Sequence, residues 1–326
     1  MPQWFSVGTV TAETFSEDGG NEPMIVGNDG DRLDLADYSR FKYGDGSMAG
    51  QYGRRMAMLL LDAQPELLEQ PVVHVASSAF KAAPPAAHAL LRPFLDQSRR
   101  QASDSGSATR FVPFKVHRET LTNGDYAGMD LEARKRAMDE SDLWLPDGLD
   151  LEGGTVVMLD DIRVTGSHEQ AVDRVLGPAA LDGLYHGYVL SVDGGSRHPK
   201  LEAAINSIGI KTMEDIVELS RAPDFTPNAR LCKFILSQPM EGIAKFCREA
   251  PWDVVATVGC YMKGDELHLM EKYTGGYDDF AGATQSGPMD PYGTRRSHTG
   301  DLAHAGFTPP PGAPGTLSNA TGRGPM

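Results

Sequence analysis

The chain has 326 residues, a hydrophobic content of 40% and a formal net charge of −15. This length can bury one large core with appendages, and no apolar run reaches the roughly 18–20 residues that a membrane-spanning helix needs. Non-specific binding to nucleic acid depends on Lys and Arg that neutralise phosphates, so the acidic balance argues against a nucleic-acid partner. The N-terminus also lacks the pattern of a secretory signal, and we expect a soluble, cytoplasmic protein.

Three cysteines, Cys232, Cys247 and Cys260, are widely spaced and include no Cys-x-x-Cys pair. This spacing favours reduced structural thiols over a disulfide scaffold or a metal site.

The first thirty residues contain one β-like piece, Phe5 to Thr11, followed by a stretch rich in Gly, Asp and Asn through Gly30. Such a stretch is typical of a loop. We therefore predict that residues 1–30 form a peripheral N-terminal arm.

Strand and helix patterns alternate from about residue 31 to residue 199, which predicts an α/β core with a doubly wound parallel sheet. Apolar residues recur at helical spacing from Ser47 to Leu61, and Asp45 just before them suits a helix cap better than a substrate contact. The other predicted elements are strands at 71–78, 111–117, 155–159 and 184–192 and helices after 84–85, around 131–139 and after 167.

The C-terminal part is predicted in two pieces. Residues 200–275 combine helical patterns with a late hairpin, whose strands would be 252–258 and 266–270. Residues 276–326 are rich in Gly, Pro, Ser and Thr and have no apolar period, which predicts a disordered tail.

The most informative stretch is 155–167, where an apolar strand runs into Asp160 and Asp161 and a short loop follows. The carboxyl edge of a parallel sheet is where ligands bind in open α/β folds. After the loop, Ser167 is predicted to cap a helix together with Gln170 in a capping box. A helix N-terminus attracts anions, and Gly166 allows the backbone to approach one closely. The stretch therefore indicates a site for a sugar phosphate.

This motif closely resembles the signature of type I phosphoribosyltransferases, in which four apolar residues precede two acidic residues and a Thr-Gly-Ser/Thr loop. The resemblance implies that the acidic pair binds the ribose hydroxyls of phosphoribosyl diphosphate (PRPP) and that the loop holds its 5-phosphate. Residues 200–275 would then be the hood that covers the sheet edge and selects the acceptor. The PRPP-binding residues implied are Asp160, Asp161, Ile162, Arg163, Val164, Thr165, Gly166 and Ser167.

The resemblance also implies a loop for the leaving diphosphate after the first core strand. Ser77, Ser78, Ala79 and Lys81 occupy that position, although Lys81 fits a solvated lysine in a turn equally well. Arg118 is a candidate catalytic residue that reaches the diphosphate, at the start of a polar segment (118–130) that the family uses as a mobile lid.

Magnesium is the cofactor that the resemblance implies, held by Asp160 and Asp161 only indirectly, through PRPP. The expected partners are PRPP and a small-molecule acceptor, and a homodimer is a possible assembly. The turn at 41–46 ahead of a helix also resembles a bacterial subgroup associated with tellurium-resistance and nucleoside-biosynthesis gene groups.

Two other functions stay open at this stage. A PRPP-binding regulatory protein without turnover would keep the same signature, although the acidic charge and the lack of a helix-turn-helix disfavour it. A diphosphokinase of the PRPP synthetase type would need two such domains in tandem, and the sequence shows one signature.

Overall fold

The computed structural model describes residues 3–11, 25–28, 33–119, 143–193 and 201–285. Its central sheet has six strands in the order β2-β1-β8-β7-β3-β4. All neighbouring pairs are parallel except β1 and β2, so five strands form a parallel sheet. Two short strands, β5 and β6, pair separately. The strands are β1 (Gln3–Thr11), β2 (Ile25–Gly27), β3 (Val72–Ser77), β4 (Arg110–Pro113), β5 (His117–Arg118), β6 (Leu143–Trp144), β7 (Thr155–Arg163) and β8 (Gly183–Asp193).

Ten α-helices are found in the described residues, and 3-10 turns precede α3 and follow α4. None of these helices is both long enough and apolar enough to cross a membrane. The helices are α1 (Leu35–Lys42), α2 (Gly46–Ala63), α3 (Leu91–Asp104), α4 (Ser167–Leu176), α5 (Leu201–Asn206), α6 (Met213–Leu219), α7 (Ala229–Leu236), α8 (Met240–Glu249), α9 (Trp252–Gly264) and α10 (Glu271–Gln285).

Strand β7 is covered on both faces, which explains its uninterrupted apolar run. Val157 and Leu159 point into a core built with α2 and α3. Val156 and Met158 point to the opposite face, where they pack with residues of α4. The predicted α/β architecture with a parallel sheet is therefore confirmed.

The N-terminal strand corrects the prediction that residues 1–30 are a peripheral arm. β1 pairs in parallel with β8 for most of its length, and Val7 and Val10 are fully buried. The hydroxyls of Ser6 and Ser191 lie 3.0 Å apart across this pair. No local sequence pattern indicates this pairing, because the two strands are separated by more than 170 residues.

The predicted late hairpin is also wrong, because residues 252–264 form α9 and a 3-10 turn follows at 267–269. Val254, Val255, Val258 and Met262 are buried at helical spacing. The β-branched side chains of the three valines favour strands, but packing on neighbouring helices overrides that preference.

The helix α10 runs to Gln285, so the predicted tail cannot begin at residue 276. Phe280 is buried in the core of the C-terminal helices. Residues 286–326, where the rest of the predicted tail falls, lie outside the described residues.

Two further boundaries differ from the prediction. The strand expected over 111–117 ends at Pro113, and the chain resumes in β5 at His117. The predicted division at residue 200 does not separate two cores, because Leu201 and Ile205 of α5 are fully buried with the sheet residues. The hood, as observed, comprises α6–α10, whose apolar side chains share a core with Tyr43.

The hood is attached to the sheet through two loops near the ligand-binding edge. The buried carboxylate of Asp265 accepts hydrogen bonds from the backbone N–H groups of Ala82 (2.9 Å) and Ala83 (3.1 Å). The Asn228 side-chain amide donates to the Lys42 carbonyl at 3.2 Å. These bonds hold the hood against the loop after β3 and the turn after α1.

The turn after α1 depends on glycine because the hood backbone approaches it closely. A Cβ on Gly46 would lie 1.8 Å from the Asp224 carbonyl oxygen. We expect Gly46→Ala to lower the free energy of unfolding by about 1–3 kcal/mol, as overpacking does, measured by urea denaturation. Gly50→Ala in the same helix is the control, since its Cβ would meet only the flexible Arg54 side chain at 3.3 Å. Equal stability of the two variants would contradict the claim that the close Asp224 backbone requires glycine at position 46.

Candidate active site at the carboxyl edge of the sheet

A cavity of about 400 Å³ lies between the carboxyl ends of β3 and β7 and the hood. This volume is within the usual range for a small-molecule site. The residues that line it come from β7 and the motif loop, α4, β8, the segment after β3, β5, α1 and the turn after it, α5 and two hood helices: Lys42, Tyr43, Ser78, Ala79, Pro85, Ala86, Arg118, Asp160–Gly166, His168, Glu169, Tyr188, Glu202, Ala229, Arg230, Lys233, Phe234, Ser237, Lys272 and Tyr273.

Asp160 is held by three hydrogen-bond donors. Its Oδ1 accepts from the Ser78 hydroxyl at 2.6 Å and from the Asp161 backbone N–H at 2.9 Å. Its Oδ2 lies 2.7 Å from His168 Nδ1, which must carry the proton because an ionised carboxylate only accepts. Burial alone raises the pKa of Asp160, but the charge and hydrogen bond of His168, with the other donors, lower it to about 2. The carboxylate is therefore ionised at neutral pH.

Asp161 belongs to a different network, built on a buried lysine. Lys42 Nζ lies 2.6 Å from Asp161 Oδ2 and 3.7 Å from Glu202 Oε1, and its side chain is only 5% exposed. Arg230 reaches the same Glu202 oxygen at 3.8 Å. Burial raises the pKa of Asp161, and Lys42 opposes this shift while Asp160 and Glu202 add to it. The lysine thus helps to keep two adjacent carboxylates ionised together.

The loop after β7 leads directly into α4, as the motif predicts, but the cap differs. Gly166 is the N-cap in the left-handed region at φ 73°, so the predicted Ser167 cap and its capping box with Gln170 are wrong. The first N–H groups of a helix have no partner within the helix, and they make this end suitable for an anion. Arg163 closes the loop with an ion pair to Glu169 at 2.8 Å.

The predicted diphosphate loop is only partly in the cavity. Ser78 and Ala79 line it, whereas Ser77 Oγ lies 3.0 Å from His88 Nδ1. Lys81 does not line the cavity, and its ammonium contacts Glu266 of the hood at 2.7 Å. The structure therefore does not bring Lys81 to the motif residues.

Residues 25–274 match a family model described as PRTase ComF-like. The chain belongs to this family of phosphoribosyltransferases. The match covers the sheet apart from β1, the motif and most of the hood. The tellurium-resistance subgroup stays a prediction.

The chain is also similar to solved structures of phosphoribosyltransferases. Hypoxanthine-guanine phosphoribosyltransferase from Schistosoma mansoni, in complex with IMP, is 11% identical with a TM-score of 0.30, over 46% of this chain and 68% of that one. A mutant hypoxanthine phosphoribosyltransferase from Trypanosoma cruzi, complexed with the product IMP, is 14% identical with a TM-score of 0.29, over 47% and 69%. Comparison with curated proteins gives no match.

The cavity of this phosphoribosyltransferase-family chain carries a charge opposite to that of the whole chain. Its described lining includes six Lys or Arg side chains and four Asp or Glu side chains, whereas the chain has a net charge of −15. Such a local excess of cations favours polyphosphate anions in spite of the overall charge. Arg118, the candidate catalytic residue, is one of these cations. Residues 120–142, which include most of the predicted lid and the helix at 131–139, lie outside the described residues.

Several cavity residues were not identified from the sequence. Lys42, Glu202, Arg230 and Lys233 come from α1, α5 and α7, far along the chain from the motif. The one sequence signal for Lys42 is its place in the 41–46 turn. Asp45 in the same turn caps α2 by accepting from the Met48 N–H at 3.1 Å, as predicted.

The paired carboxylates are the residues that would contact a magnesium ion bound to a phosphate ligand. Among the described residues, no group of three or more His, Cys, Asp or Glu could hold a metal by itself. Mg²⁺ usually keeps several waters and binds one or two carboxylates together with substrate phosphates. Asp160 and Asp161 are two neighbouring carboxylates of the kind that Mg²⁺ binds in this way.

Proposed function

We propose that this protein transfers the 5-phosphoribosyl group of PRPP to a small-molecule acceptor and releases diphosphate. One observation carries the proposal: an acid pair and a helix N-terminus meet in one cavity, in a member of a phosphoribosyltransferase family. The acid pair would accept hydrogen bonds from the two ribose hydroxyls. The loop from Thr165 to His168 would hold the 5-phosphate through backbone N–H groups.

The reaction develops positive charge on the ribose ring and negative charge on the leaving diphosphate, and the cavity has residues of opposite charge for each. A lone pair of the acceptor forms a bond to C1 of the ribose, and the bond from C1 to the diphosphate oxygen breaks. Its electron pair leaves with the diphosphate, and a proton bound to the attacking atom passes to water. Positive charge that develops on the ribose ring would be stabilised by Asp160 and Asp161, and Arg118 would lie near the leaving group.

Magnesium would be bound by the diphosphate of PRPP, with Asp160 and Asp161 as nearby carboxylates, and would neutralise charge on the leaving group. The protein residues orient the ribose and exclude water from it. His168 and Ser78 fix the Asp160 carboxylate by hydrogen bonds before the substrate enters, which reduces the cost of ordering it.

Calorimetry with PRPP and magnesium tests the binding step. We expect PRPP to bind the wild-type protein, and we expect its affinity to fall as the pH is lowered. The fall should be centred above pH 3.8, the ordinary pKa of an Asp carboxyl group, because the pKa of Asp161 is raised. The reason is that protonation of Asp161 removes an acceptor, whereas Asp160, with its pKa of about 2, stays ionised. Asp161→Asn should bind more weakly and lose most of this pH dependence. A folded wild-type protein that gives no heat with PRPP would refute the proposal.

Turnover needs a separate measurement, because a regulatory protein could bind PRPP and leave it intact. Isotope-labelled PRPP with a panel of bases, amines and phenols would report transfer through diphosphate release. Release that depends on one acceptor class supports the transferase. Binding without release across the whole panel would favour the regulatory alternative.

A further inference from the structure

Arg163, the last residue of β7, uses only part of its guanidinium group in contacts within the protein. Its Nε donates a hydrogen bond to Glu169 Oε2 at 2.8 Å. The Tyr188 hydroxyl donates to the same carboxylate oxygen at 3.2 Å. A guanidinium group has five N–H donors in a fixed fork, and Glu169 accepts from one of them. The N–H groups on the two terminal nitrogens have no hydrogen-bond acceptor among the described residues, so they are available to a ligand.

These terminal N–H groups lie beside the first turn of α4. Arg163 lines the cavity, and a Cβ on the N-cap Gly166 would lie 3.3 Å from Arg163 Nη2. The backbone N–H groups at the start of a helix have no acceptor within the helix. Two separate sets of donors, one from the backbone and one from a side chain, therefore occupy the same part of the cavity. A phosphate group accepts several hydrogen bonds at once and suits such a place.

Trp4 of β1 holds the guanidinium group from another side. Arg163 Cζ lies 4.6 Å from the centroid of the Trp4 ring, and Trp4 is 48% exposed. This cation–π contact restricts the position of the guanidinium group without supplying a hydrogen-bond acceptor for its N–H groups. Glu169 and Trp4 together therefore fix Arg163 and leave its terminal donors unused.

The residue that makes this contact comes from a part of the chain distant from the motif. β1 pairs with β8 at the edge of the parallel strands, and the family match begins only at residue 25. Resting on the proposed function, we propose that Arg163 donates hydrogen bonds to the 5-phosphate of PRPP and that Trp4 is the positioning residue that holds Arg163 for this contact. The N-terminal strand thus completes the phosphate site.

Calorimetry with two ligands tests the role of Arg163. Arg163→Gln should bind PRPP about tenfold or more weakly than the wild-type protein, as expected when a charge-assisted hydrogen bond is lost. Inorganic diphosphate with magnesium has no 5-phosphate, and its affinity should be the same for both proteins. Unchanged PRPP affinity in a folded Arg163→Gln protein overturns the proposal. An equal loss of affinity for both ligands would assign Arg163 to the diphosphate and overturn it as well.

Two variants of Trp4 test its positioning role. Trp4→Leu keeps an apolar side chain but removes the aromatic face, and it should weaken PRPP binding by about two- to fivefold. Trp4→Phe keeps an aromatic face and should retain most of the affinity. Trp252→Leu is the control, because Trp252 is also partly exposed and lies outside the cavity. Urea denaturation of each variant shows that the protein is folded.

A double variant separates positioning from an independent effect. Trp4→Leu combined with Arg163→Gln should bind PRPP no more weakly than Arg163→Gln alone, because Trp4 acts through Arg163. Wild-type affinity in Trp4→Leu, or a further loss of the same size in the double variant, overturns the positioning role. A wild-type protein that fails to bind PRPP would instead refute the proposed function.

Discussion

Asp160→Asn should reduce turnover and PRPP affinity by about a hundredfold or more. The substitution keeps the size of the side chain but removes the charge that His168 and Ser78 hold in place. Each charge-assisted hydrogen bond is worth about 1.5–3 kcal/mol, and the stabilisation of a positively charged ribose in the transition state is lost as well. Steady-state kinetics and calorimetry with PRPP would measure the two effects separately.

The matched control for this variant is Asp173→Asn. Asp173 also pairs with a histidine, His186, at 2.9 Å, but it does not line the cavity. The low pKa of Asp160 means that its ionised form stabilises the fold above the ordinary pKa of 3.8, so Asp160→Asn should also cost some stability. If a folded Asp160→Asn protein kept wild-type affinity and rate, this carboxylate would have no part in the mechanism.

Lys42→Met should be the most destabilising of the substitutions considered. It removes the cation 2.6 Å from Asp161 and 3.7 Å from Glu202 and leaves buried carboxylates facing each other. Breaking a buried ion pair from one side typically costs about 3–5 kcal/mol. Urea denaturation would measure this loss, and Lys245→Met, at an exposed pair, should cost far less stability.

The loss of stability in Lys42→Met should be larger at neutral pH than at acidic pH. The pKa of Asp161 is already raised by burial, and loss of Lys42 should raise it further. A carboxyl group whose pKa is raised in the folded state destabilises the fold when it is ionised. The stability that Lys42→Met loses relative to the wild-type protein should therefore become smaller as the pH falls. Adding Asp161→Asn to Lys42→Met should recover part of the stability. A deficit that is the same at every pH, with no recovery in the double variant, would mean that Lys42 acts through packing alone.

The motif could be predicted from sequence because its chemistry is local. Asp160, Thr165 and Gly166 lie within one strand and the loop after it, so their order along the chain fixes their arrangement in space. The alternation of strands and helices likewise predicted the parallel sheet. Both inferences depend on contacts over short separations in sequence.

The remaining features depend on contacts between distant segments. Lys42 reaches Asp161 across 119 positions and Glu202 across 160, and no local pattern indicates either pair. The sequence predicts an arm where β1 lies because its partner β8 follows more than 170 residues later. The sequence predicts a strand over 252–258 because Val254, Val255 and Val258 suit either element, and only their packing partners decide between the two.

The packing of α5 bears on how the protein can be shortened for expression. Leu201 and Ile205 have no exposed surface and belong to the sheet core, although they follow the last strand. A fragment that stops at the end of β8 would lack Leu201 and Ile205 and leave a cavity in the sheet core. The burial of each of these side chains stabilises the fold by about 1.5–3 kcal/mol. It would also lose Glu202 and with it the second carboxylate beside Lys42. A truncated catalytic half should therefore retain residues 201–206.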